Sequence, residues 1–167
     1  MLADAGTEEY VDATLFLGMN CAQESVRIAC KSYFAARLAD RVVMSLEQVG
    51  RCDDLVWQFP REVQDAYYPF MDNLHTIMSI DRIGYDDADL RSAPAAEPPG
   101  GLPTHERLLL GMVLNRGGTL RSVSSRLLDR PGLPVRAPEE GPELAFPEPL
   151  ERLYQQSLRL RLPVNEL

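Results

Sequence analysis

The chain has 167 residues, of which 45% are apolar and 25% charged, a composition that excludes whole-chain disorder and fibrous repeats. No stretch approaches the ~18 uninterrupted apolar residues of a membrane-spanning helix, so membrane insertion is not expected. A net charge of −8 disfavours broad binding to nucleic acid, which needs basic surface to displace counterions, while leaving a local basic groove open. Three cysteines, Cys21, Cys30 and Cys52, cannot all pair within one chain and lack zinc-site spacing. With an acidic opening sequence that has no basic leader, they point to free thiols and a cytoplasmic setting.

In chain order, Glu9 to Leu17 reads as a β-branched and aromatic strand closed by a turn at Gly18. From Ala22 to Ala39, Val26, Ala29, Cys30, Phe34 and Leu38 recur at helical spacing. Arg41 to Met44 is a short apolar strand, and Ser45 is a candidate N-cap for a helix carrying Glu47 and Asp53. Pro60 suits an early helical turn and opens the aromatic, acidic stretch Arg61 to Ile80. Ile80 to Tyr85 reads as a third strand and Asp86 to Leu90 as an acidic helix start. Arg91 to Pro103 is a proline-rich loop. Thr104 is a candidate N-cap for a helix to Arg116, ended by Gly117-Gly118. Thr119 to Val123 is a strand, and Gly132 to Val135 a short edge strand in which Pro134 is tolerable. Residues 137–149 lack apolar periodicity, and Leu150 to Leu160 reads as an amphipathic helix.

Strands alternating with helices predict an α/β fold, a three-layer α/β/α sandwich with a mainly parallel sheet. The expected organisation is an α/β domain over residues 9–136. A Pro/Glu-rich tail, residues 137–167, follows and ends in a short helix packed on that domain.

Two acidic constellations stand out. Asp12 follows the first strand, with Thr14 two residues on. In an open α/β sheet ligands bind beyond the carboxyl ends of the strands, so a carboxylate there is placed for a divalent cation, or else simply holds a turn. The second constellation is Glu62, Asp65, Asp72 and His75. At ~100° per residue Asp65 and Asp72 share a helix face, and Asp72 with His75 forms an i,i+3 pair able to chelate a metal or orient a histidine. A solvated face is the plainer reading, and Pro69 between the carboxylates can kink the helix. Tyr67, Tyr68 and Phe70 beside it can stack on bases, or belong to the core or a dimer surface.

Val11-Asp-Ala-Thr-Leu-Phe16, Val42-Val-Met-Ser-Leu-Glu47, Thr104-His-Glu-Arg-Leu-Leu-Leu-Gly111, Gly117 to Ser124 and Pro131-Gly-Leu-Pro-Val135 follow one another in an order that resembles the PIN-domain family of metal-dependent nucleases. The resemblance runs from about Glu9 to Val135. It implies the three-layer fold and a ribonuclease that hydrolyses phosphodiesters with Mg²⁺ or Mn²⁺, held by Asp12, Glu47 and Glu106. Thr14 and Ser124 would position water or phosphate. Hard cations of this kind take oxygen ligands and can activate a bound water. Ser124 stands where the family carries a fourth acid, Glu106 replaces an aspartate, and Asp53 rivals Glu47. Arg51, Arg107 and Arg121, with Arg116, are the basic candidates for phosphate, and His105 is placed for acid–base work beside Glu106. The resemblance further implies an RNA substrate, a homodimer and a protein inhibitor or partner. Two alternatives stay open. One is an inactive PIN-like binding or interaction module. The other is a different enzyme using Asp65, Asp72 and His75.

Overall fold

The computed structural model describes residues 7–96 and 101–167. Strands β1 (Glu9–Val11), β2 (Arg41–Ser45), β3 (Ser79–Ile83), β4 (Thr119–Arg121) and β5 (Val135–Arg136) form one sheet in the order β3-β2-β1-β4-β5. Every pairing is parallel, with Tyr10 opposite Val43 on one side and Leu120 on the other. The helices are α1 (Ala13–Gly18), α2 (Glu24–Ala35), α3 (Leu46–Asp54), α4 (Arg61–Ile77), α5 (Asp87–Arg91), α6 (Thr104–Arg116), α7 (Ser125–Leu128) and α8 (Leu150–Ser157). They cover both faces, giving an α/β three-layer sandwich. No helix among the described residues is long and apolar enough to cross a membrane.

The sheet's sequence is apolar on successive residues because both faces are buried. Neighbouring side chains point opposite ways. Val11, Val42 and Met44 therefore join the larger core with Phe16, Phe34, Tyr67, Phe70 and Leu74, whereas Tyr10 and Val43 join a second core with Leu109, Leu110, Val113 and Leu120.

The first strand is shorter than expected. It stops at Val11, and residues 13–18 are helical. Asp12 makes the difference: its carboxylate accepts from the Leu15 amide, capping α1. Leu15, Phe16 and Leu17 are all buried, and a short run buried all round has no periodicity to separate helix from strand. Ser45 caps α3 as expected, accepting from the Gln48 amide. Thr104 does not cap α6. Pro103 takes the cap position without a side-chain bond, and Thr104 is the first helical residue. Gly117, at φ +68°, ends that helix in the left-handed conformation that glycine tolerates. Helix α4 runs through Pro69 without interruption. Residues 137–149 have no helix or strand. So do residues 93–96 and 101–103 of the proline-rich loop. Residues 97–100 of that loop, and the opening residues 1–6, lie outside the described residues.

The tail is bound to the body by side chains from both. Helix α8 lies against α4, and Phe146, Leu150, Tyr154, Leu160 and Leu162 complete the larger core. Lys31 on α2 is 1% exposed and reaches Glu151 at 2.6 Å while standing 4.7 Å over the Tyr154 ring. The Tyr154 hydroxyl donates to the Met19 carbonyl and accepts from Arg27.

Candidate functional site

The chain runs from β1 through β2 to β3, then returns to place β4 on the other flank of β1. The strand order therefore reverses between β1 and β4, and the crevice beyond their carboxyl ends is where open α/β sheets bind ligands. Asp12 follows β1 directly, and Ser122 follows β4. A pocket of about 220 Å³ opens there, lined by Asp12 and Thr14, by Gln48, Arg51 and Asp54 of α3, by His105 and Glu106 of α6, and by Arg126 of α7. Asn165, Glu166 and Leu167 close one side.

A chain of hydroxyls joins the two buried acids. Thr14 donates to Asp12 Oδ1 at 2.6 Å, and Ser122 donates to Asp12 Oδ2. The Ser124 amide donates to the Ser122 oxygen at 3.1 Å, and the Ser124 hydroxyl donates to Glu106 Oε1 at 3.2 Å. Burial is the largest influence on Asp12 and pushes its pKa up to about 6, against the lowering effect of the bonds from Ser122, Thr14 and the Leu15 amide. Burial also lowers the pKa of His105, with Arg51 adding to the effect.

Glu106 is 3% exposed. Its Oε1 receives the guanidinium of Arg126, through Nε at 2.7 Å and through Nη2. Its Oε2 is buried and accepts no hydrogen bond among the described residues. His105 Nδ1 is likewise buried without a partner among them.

Asp12, Thr14, Glu106 and Arg51 thus line one pocket, and Ser124 touches it through Glu106. Glu47 does not. It is exposed and accepts from the Tyr85 hydroxyl at 3.1 Å. Successive helical residues point about 100° apart, and on α3 the inward position belongs to Gln48. That neutral side chain is buried and accepts from the Ala13 amide at 3.0 Å, one of the donors left free at the start of α1. Asp53 accepts from Tyr68 at 2.9 Å and lines a different pocket. Among the described residues, no three His, Cys, Asp or Glu side chains are grouped to hold a metal ion. The donors present here do not make a cage for Mg²⁺ or Mn²⁺: one carboxylate is tied to Arg126, one is wrapped in hydroxyls, Asp54 and Glu166 are exposed on the walls, and an amide stands on α3.

Of the other candidates, Asp72 and His75 line that second pocket together with Asp53 and Tyr68, while the rest lie apart. Asp65 is exposed and lies 3.7 Å from Arg61. Asp72 is exposed, while the His75 ring packs 4.7 Å from Phe16 and its Nδ1 meets Arg82 at 3.2 Å. Burial lowers the His75 pKa to about 4. Tyr67 and Phe70 are core residues. Arg107 donates to the Pro94 carbonyl, Arg121 pairs with Glu9 at 3.1 Å, and Arg116 pairs with Asp89. Gln48, Asp54, Ser122, Arg126 and the 165–167 segment were missed by sequence reasoning. For Gln48 the Ser45 cap marks where α3 starts but gives no signal of which face turns inward. For the 165–167 segment there was none either, because only tertiary packing brings it to the pocket.

Residues 1–167 match a family described as "Family of unknown function (DUF6190)". No curated protein matches the chain.

Proposed function

We propose that this chain, which belongs to the DUF6190 family, is a PIN-like binding module that captures a ligand in the pocket beyond β1 and β4 and does not cleave RNA with a metal. The observation that carries this reading is the Glu106–Arg126 ion pair. A guanidinium on Glu106 already supplies the positive charge that a divalent cation would bring, and it repels such a cation at close range. The neutral Gln48 on α3 and the neutral Ser124 after β4 support the same reading, because hard cations bind where carboxylates converge.

A second reading, metal-dependent RNA hydrolysis, is favoured by one observation: Asp12 and Glu106 line the same pocket. One experiment separates the two. Mg²⁺ and Mn²⁺ are titrated into the full chain, and the melting temperature is followed beside incubation with single-stranded RNA. Binding to the folded state alone raises the melting temperature. The binding-module reading expects neither a saturable shift nor cleavage. A Mn²⁺-dependent shift that disappears in Asp12→Asn, with RNA cleavage lost in the same variant, would overturn it.

A further inference from the structure

The unpaired Glu106 oxygen marks what the pocket lacks. Buried acceptors are almost always satisfied by a donor, and around this one the protein supplies none among the described residues. The charges on the walls are unequal. Four carboxylates, Asp12, Asp54, Glu106 and Glu166, face two guanidiniums, Arg51 and Arg126, and Arg126 is already engaged with Glu106. An anion entering here meets the excess of carboxylates. A water can donate to Glu106 Oε2 but leaves that excess in place. A divalent cation is drawn by the same excess but needs several free oxygen ligands, and Glu106 Oε1 and both Asp12 oxygens are already taken by Arg126 and by hydroxyls. The walls also carry apolar surface from Ala13, Leu17, Leu55 and Leu167, which suits a short carbon chain. At about 30 Å³ of liquid volume per water, the cavity has the room of about seven waters, the scale of a small metabolite.

We propose that this pocket binds a small protonated primary amine, its ammonium donating to Glu106 Oε2 and its carbon chain lying along the apolar wall. An ammonium carries three donors and no acceptor, matching an oxygen that lacks a donor. The inference rests on the reading of the pocket as a binding site without a catalytic metal, and it adds the chemical class of the ligand.

The test is calorimetric titration of the full chain with n-butylamine hydrochloride at constant ionic strength, with n-butanol as the uncharged counterpart. Saturable binding of the amine and none of the alcohol is expected. Glu106→Gln should weaken the amine at least about tenfold, since a charge-assisted bond becomes a neutral one. Asp54→Asn, at an exposed wall position, should weaken it at least about twofold through the local field, and it provides the readout if Glu106→Gln does not fold. Glu62→Gln, on exposed α4 surface, should bind as the parent does. Equal binding of the alcohol, unchanged affinity in both wall variants, or no saturable heat below about 50 mM amine overturns the proposal. If that happens while Mn²⁺ also leaves the melting curve unmoved, the amine inference alone falls. Saturable Mn²⁺ binding that displaces the amine would instead overturn the metal-free reading beneath it.

Discussion

Asp89 and Glu106 are both buried carboxylates that meet an arginine, and their surroundings differ at a single oxygen. Asp89 Oδ1 accepts from Asn115 at 2.9 Å and from Arg116 Nε at 3.1 Å, while Oδ2 accepts from Arg116 Nη2 at 2.7 Å and from the Asp86 amide at 2.9 Å. The Arg116 contact, chiefly, holds that carboxyl well below the usual carboxylate range. Glu106 meets Arg126 through one oxygen and leaves the other unpartnered among the described residues. The first arrangement is saturated and joins α5 to the end of α6. The second leaves a buried acceptor unpartnered in a residue that lines a pocket. Each pair has one partner on α6, yet Asp89 is saturated by the fold and Glu106 is not.

The sharpest way to break this contrast is Asp89→Asn. Asparagine there loses two charge-assisted bonds from Arg116, which keeps only Asp86 at 3.6 Å among the described residues, at a cost of about 3–4 kcal/mol. Urea unfolding should show that loss, and a cost below about 1 kcal/mol would mean that Asp89 is no more structural than a surface acid.

Asp12 offers the next largest effect, and it depends on pH. Its pKa is about 6 in the folded state against an ordinary 3.8, so between those values the folded chain binds more protons than the unfolded one. Stability then falls as pH rises through about 4 to 6 and levels off above. Asparagine at position 12 keeps the helix cap and removes the titration. The parent should therefore lose about 2–3 kcal/mol relative to Asp12→Asn between pH 4 and pH 7. Parallel stability curves for the two proteins would show that Asp12 is not desolvated.

Gly111 lies where α6 passes closest to the chain after α5. A methyl group there would clash first with the Asp89 carbonyl oxygen of α5 and would meet the Ala93 nitrogen at 2.8 Å and its Cα at 2.9 Å. These are backbone atoms with little freedom to move, so Gly111→Ala should cost about 1–3 kcal/mol, read from the urea midpoint. An unchanged midpoint would show that the α5–α6 contact is loose.

The smallest effect is expected from Glu106→Gln. Arg126 is half exposed, and such pairs contribute about 0–1 kcal/mol. A loss as large as that of Asp89→Asn would erase the distinction between the two pairs.

Much of the frame was legible beforehand. Arg41 to Met44 had to be a strand because its apolar run is short and sits before a capping serine, and α6 was readable from its leucines and terminal glycines. Asp12 was legible as a candidate because it stands at the end of an apolar strand in an alternating pattern. Glu47 and Gln48 mark where reading stops. One residue turns a helical side chain by about 100°, and the sequence shows two polar neighbours with nothing to say which faces the sheet. Arg126 was hidden for another reason: its partner Glu106 lies 20 residues earlier, and only the packing of α6 beside α7 brings them together. Helical angles brought Asp72 beside His75, and both line one pocket, but angles do not reveal that His75 rests on Phe16 or that Asp53 joins them there.

Lys31 carries a consequence for the order of events during folding. Its counter-ion Glu151 lies 120 residues downstream, and the hydroxyl that reaches Met19 lies 135 residues downstream of it. Contacts of such separation slow folding, because the intervening chain must be gathered before they reward it. The ammonium of Lys31 can leave water only when α8 arrives with the carboxylate and the Tyr154 ring. The face of α2 that carries Lys31 therefore stays wet until α8 is in place, and docking of α8 is the step that dries it.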